Sequence, residues 1–92
     1  MKIKINEPTI CPKDLKDNLT NIVNRLVNLI DIATELRIAL EIYKTTDDID
    51  DYEIGTMSYI DKQNQTVTDF IITITNNHHS SSYIITKVHK KC

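Results

Sequence analysis

The stretch Asp31-Ile32-Ala33-Thr34-Glu35-Leu36-Arg37-Ile38-Ala39-Leu40-Glu41-Ile42-Tyr43-Lys44-Thr45 decides how this chain folds. Upstream of its midpoint, apolar residues recur at helical spacing. Leu15, Leu19, Ile22, Val23, Leu26, Val27, Leu29, Ile30, Ala33 and Leu36 form one broad stripe. The opposite side holds Asp17, Thr20, Asn21, Asn24, Asn28, Asp31 and Glu35. Carried past Leu36, the helical pattern degrades, because Ile38 and Ile42 fall beside Asp31 and Glu35 on the polar side. A period of two is orderly there instead, with Ile38, Leu40 and Ile42 on one side and Ala39, Glu41 and Tyr43 on the other. The spacing therefore predicts one long amphipathic helix over 13–36 and a strand over 37–45. A second reading stays open, in which Leu36, Leu40 and Tyr43 continue the earlier leucines and the helix runs to Lys44.

Outward from that switch the elements are plainer. Lys2-Ile3-Lys4-Ile5-Asn6 alternates and reads as a short N-terminal strand. Pro12 suits a first helical position, and Asp14 suits the positive first turn. The four asparagines Asn18, Asn21, Asn24 and Asn28 are poor helix formers, so the helix must draw its stability from docking. Downstream, β-branched and aromatic residues alternate over 52–60, 67–75 and 82–89. Tyr52, Ile54 and Ile60 share one face, and Gly55, Met57 and Tyr59 the other. Phe70, Ile72 and Ile74 lie opposite Asp69, Thr73 and Thr75. Polar connections over 61–65 and 76–81 separate these runs. The expected architecture is a single α+β domain over 1–92: a short strand, then one helix packed on a four-stranded antiparallel meander. A helix of that length is about 36 Å long and matches strands of about 30 Å. A helix reaching Lys44 would overhang the sheet and call for a partner, most simply the same helix of a second chain.

That order of elements is similar to the cystatin fold, and Gln65-Thr66-Val67-Thr68-Asp69 resembles the cystatin Gln-x-Val-x-Gly hairpin. Here Asp69 stands at the glycine position, the hairpin comes one hairpin late, and no Pro-Trp pair follows. Protease inhibition is therefore not inferred.

Composition narrows the function classes. Sixteen Ile and eight Asn against one Gly and two Arg follow AT-rich codons, which points to an AT-rich bacterium, phage, virus or protist as the source. A net charge of −2 argues against nucleic-acid binding, whose affinity rests on neutralising phosphates. No apolar run is long enough for a transmembrane helix, and the charged start has no apolar core of a signal peptide, so a cytoplasmic protein is expected. Cys11 and Cys92 are expected as free thiols in that setting. A lone glycine excludes Gly-rich phosphate loops, and no Ser or Cys stands in a nucleophile motif, so no enzyme and no cofactor are expected.

Three constellations remain. Asp47, Asp48, Asp50 and Asp51 surround Ile49, without the rhythm or central Gly of a calcium loop. They read as a hydrated loop or as a patch for a basic partner anchored by Ile49. His78, His79, His89 and Cys92 lack convergent metal-ligand spacing. Lys87, His89, Lys90 and Lys91 read as lysine protection of an edge strand. The leading expectation is a small non-catalytic module that binds a protein partner through the Asp47–Asp51 loop or through a sheet face carrying Tyr43, Met57 and Tyr59. A phage or mobile-element accessory protein that blocks a host factor fits this profile. The alternatives are a homodimer built through the helix or an edge strand, and weak nucleotide or nucleic-acid binding along a lysine edge.

Overall fold

Two helices, not one, lie on the sheet of the computed structural model, which describes residues 13–89. The strand expected at Lys2–Asn6, both cysteines and the last lysines lie outside the described residues. Helix α1 spans Lys13–Arg25 and α2 spans Leu29–Thr45. The buried side chains explain the break. Leu15, Leu19, Ile22 and Val23 face the core from α1, and Ile32, Leu36, Ala39 and Leu40 face it from α2. On one continuous helix at about 100° per residue, these two stripes would be centred roughly a quarter turn apart. A straight helix would aim only one of them at the sheet. The chain therefore stops and restarts.

Both sides of the break are capped. The Asn28 side chain accepts a hydrogen bond from the Ile30 N–H at 2.9 Å, the N-cap geometry, and Asp31 sits in the first turn. The Lys87 ammonium, from the last strand, donates to the Val23 carbonyl at 3.0 Å and the Asn24 carbonyl at 3.4 Å. These are end carbonyls of α1, where a cation is favoured by both hydrogen bonding and the helix dipole.

The strand predicted over 37–45 is corrected to helix, as is the fourth strand of the meander. Leu36, Ala39 and Leu40 are buried at helical spacing, whereas Ile38 and Ile42 stay on the solvent side beside Asp31 and Glu35. The apparent alternation of Ile38, Leu40 and Ile42 mixed one core residue with two surface ones.

Helix α2 ends in a Schellman motif. Asp47 takes the left-handed conformation (φ 61°), its N–H donates to the Lys44 carbonyl, and the Asp48 N–H donates to the Tyr43 carbonyl at 2.9 Å. The chain then forms a three-stranded antiparallel meander in the order β1-β2-β3: Asp51–Ile60, Thr66–Asn76 and His79–His89. The register runs Asp51↔Thr75 to Ile60↔Thr66, and Thr66↔His89 to Asn76↔His79. The loop expected over 76–81 shrinks to Asn77 and His78, both at positive φ, as a two-residue hairpin turn requires. Over 61–65, the Asp61 carboxylate accepts from the Gln63 and Gln65 N–H groups, each at 2.9 Å, and Asn64 adopts positive φ.

Side-chain alternation divides the sheet. The inner face carries Phe70, Ile72 and Ile74 at the centre, with Tyr52, Ile54, Tyr83 and Ile85 packed beside them. Helix α1 packs on β3 and α2 on β1, closing one core.

Candidate protein-binding surface

No helix of the described residues covers the outer face of the sheet, and its sequence splits that face in two. At the end nearest the Asn77-His78 turn, hydroxyls pair across strands: Thr75 with Ser80 and Thr73 with Ser82, each at 2.9 Å. These hydroxyls satisfy one another on a wet surface. At the other end the rows are Gly55–Ile71–Ile84, Met57–Asp69–Thr86 and Tyr59–Val67–Val88. Only Asp69 and Thr86 are polar there, and the Thr86 hydroxyl donates to the Asp69 carboxylate at 2.7 Å. Val67 is buried although it faces away from the helices, because Tyr59 and Val88 flank it across the strands. Met57, Tyr59, Ile84 and Val88 remain 45–64% exposed, and they stand on this half of the face around the Asp69–Thr86 pair.

Of the residues singled out in the sequence, the structure sets Met57 and Tyr59 on one sheet face, and it joins Tyr43 instead to the acidic loop, where its carbonyl accepts from the Asp48 and Ile49 N–H groups. Tyr43 is not on their face. It lies on α2, half-buried against the core, because 37–45 is helical. Ile49 is 1% exposed and belongs to the core, so it cannot anchor a partner at the centre of the acidic loop. The loop carboxylates serve local structure. Asp48 accepts from the Thr46 hydroxyl at 2.8 Å and Asp50 from the Asn77 N–H at 2.8 Å. Asp51 accepts from the Tyr52 N–H at 2.9 Å and lies 3.6 Å from the Lys44 ammonium. Asp47 supplies the left-handed backbone residue. The loop thus joins the end of α2 to the β2–β3 turn. It stands about 20 Å along β1 from Met57.

A second apolar surface belongs to the alternative reading in which the helix runs to Lys44, though the sequence did not mark its residues as a surface. Ile30, Ile38 and Ile42 are 75%, 51% and 57% exposed. They flank two shallow grooves between α2 and β1. One, of about 360 Å³, lies between Ile38, Ile42 and Tyr52. The other, of about 320 Å³, lies between Ile30, Ala33, Thr56 and Ser58. Arg37 lines both halves of this trough. The Tyr52 hydroxyl donates to the Glu41 carboxylate within it. That carboxylate, and secondarily burial, hold the phenol pKa above its ordinary value.

Among the described residues no three His, Cys, Asp or Glu side chains converge on one point, and His78 and His79 stand at the opposite end of β3 from His89. Lys87, counted in the sequence as edge protection, is committed to the α1 carbonyls. Among the described residues no helix is long and apolar enough to cross a membrane. Neither a protein-family model, nor a curated protein, nor a solved structure matches this chain.

Proposed function

We propose that this chain is a small non-catalytic protein-binding module, an accessory protein of a phage or mobile element that binds and inhibits a host factor in the host cytoplasm. The observation that carries this reading is the apolar half of the outer sheet face, with Met57, Tyr59, Ile84 and Val88 exposed around Val67. A surface of this kind, which exposes Met57 and Tyr59 beside aliphatic side chains with one hydrogen-bonded polar pair among them, has the composition of an interface core. The acidic loop takes a lesser part, since its carboxylates already hold local hydrogen bonds and Ile49 is inside. Nucleic acid is disfavoured by the net charge of −2 and by the commitment of Lys87 to α1.

The test is affinity capture from extract of the source host with the wild-type chain and two sets of variants. One stoichiometric protein should be retained by wild type. It should be lost with Ile84→Asp or Val88→Asp, and kept with Asp47→Asn and Asp48→Asn. Nothing above background, or loss only with the loop variants, would overturn the reading. A homodimer is the second reading, and it draws on a different surface, the trough between α2 and β1.

A further inference from the structure

We infer that two copies of this chain associate through the open edge of β1. The strands run antiparallel across a two-fold axis, so that two three-stranded sheets become one of six strands. This surface centres on the β1 edge and the α2 flank and shares with the outer-face patch only the edge-side flanks of Met57 and Tyr59; the inference does not rest on that patch binding a host protein.

The first ground is the edge itself. Among the described residues the strand order is β1-β2-β3, and there β1 pairs on one side only. A ten-residue edge strand offers a row of unpaired backbone groups, and proteins blunt such edges with lysine, proline or bulges. β1 has none of these. Its register with β2 is unbroken from Asp51 to Ile60, and after Glu53 it reads Ile-Gly-Thr-Met-Ser-Tyr-Ile without a charge.

The second ground is the trough above that edge. Ile38 and Ile42 point away from their own core on the side of α2 that looks past Tyr52. At the other end of β1 the situation reverses. Thr56, Ser58 and Ile60 point to the helical side of the sheet yet are exposed, and Thr56 and Ser58 line the open groove beside α2. Each copy therefore has a roofed end of β1 with spare helical side chains and an unroofed end with a spare isoleucine. An antiparallel two-fold sets the roofed end of one beside the unroofed end of the other, twice. Ile60 of one copy then lies under the α2 flank of its mate.

Charge selects the same orientation. Asp50, Asp51 and Glu53 cluster at the start of β1. Parallel pairing would set these against their equivalents, whereas antiparallel pairing holds them about a strand length apart. Area is sufficient. Ile30, Ile38, Ile42 and Ile60 are each 51–75% exposed and present roughly 400 Å² together. The backbone edge and the adjacent faces of Met57 and Tyr59 bring this towards the ~800 Å² per partner of a standard interface.

Sedimentation equilibrium of the full chain in reducing buffer, where Cys11 and Cys92 cannot link copies, tests this. Wild type should give twice the 10.6 kDa chain mass at micromolar concentration and above. The double variant Ile38→Lys and Ile42→Lys should raise the dimer dissociation constant at least ~100-fold, since each side chain enters the two-fold interface twice. Both positions are solvent-exposed in the single chain, so its helical circular dichroism should not change. Ile84→Asp on the outer face should leave the dimer intact. Independently, amide exchange over 52–60 should slow with rising concentration in wild type. A 10.6 kDa species at every concentration would overturn the inference, and so would a dimer unaffected by the lysines or one broken by Ile84→Asp. An extended segment of another protein on this edge would appear as a monomer of the pure chain, the first of those outcomes.

Discussion

The two helices cover the same core and differ in what they leave outside it. In α1 the apolar residues Leu15, Leu19, Ile22 and Val23 are all buried, and from Asp14 to Arg25 every other position but the partly covered Thr20 is polar and exposed. In α2 the core takes Ile32, Leu36, Ala39 and Leu40, with Leu29 and Tyr43 half-buried, and three isoleucines remain outside. One helix is finished by its own sheet, and the other carries more apolar surface than one sheet can use. A surplus confined to the helix that stands over the open edge strand points outward, to a second body.

The sharpest way to break this contrast is to truncate on both sides of α2. Leu40→Ala removes a fully buried side chain and should cost about 2–5 kcal/mol, much of what a domain of this size has. Ile38→Ala, two residues away on the surplus side, should change the stability of the monomer by no more than ~0.5 kcal/mol. Leu19→Ala on α1 should match Leu40→Ala. Chemical denaturation at low protein concentration, below dimer formation, reads all three. If Ile38→Ala proved as costly as Leu40→Ala, the flank would belong to the core and the surplus would vanish.

This contrast was half legible in the residues. The three strands could be read because Phe70, Ile72 and Ile74 repeat with a period of two, with Asp69, Thr73 and Thr75 among the residues opposite, and cross-pair with alternating neighbours. Met57 and Tyr59 could be placed on one face for the same reason. The helix over 37–45 could not be read securely. Leu36, Ile38, Leu40 and Ile42 satisfy a period of two only if surface isoleucines are counted as core, and nothing local separates spare apolar residues from packed ones. The break at 26–28 was hidden because Leu26, Val27, Leu29 and Ile30 make the apolar run continuous through Asn28. Its one local signal was an N-cap asparagine followed three residues later by Asp31. Ile49 reads as exposed among four aspartates, and only the packed Schellman turn shows it going inside. Lys87 had no local signal at all, because the carbonyl it caps is 64 residues away in the chain.

The break between the helices gives the intermediate effect. Asn28→Ala removes the acceptor for the Ile30 N–H and should cost about 1 kcal/mol. Thermal unfolding measures this. If the loss were negligible, the junction would be set by the misaligned stripes and by Lys87 alone, and Lys87→Met should then carry the larger cost.

The smallest effect lies at the polar tie between α2 and the sheet. The Tyr52 hydroxyl donates to the Glu41 carboxylate, which raises the phenol pKa above its ordinary value of about 10, and burial adds to the rise. In the unfolded chain the phenol ionises at its ordinary value, and in the folded chain it holds its proton to a higher pH. The stabilisation is therefore fully present below about pH 10 and is lost as pH rises through that value towards the folded one. Ultraviolet titration of tyrosinate should show one tyrosine delayed in wild type and brought back towards its ordinary range by Glu41→Gln. Tyr52→Phe should remove its share of the alkaline loss of stability while leaving the neutral-pH fold in place. Because Tyr52 and Glu41 both line the trough, this titration also reports on what covers them. A dimer closed over the β1 edge should move the delayed tyrosine further up in concentrated than in dilute wild type, whereas an open trough should leave the two alike.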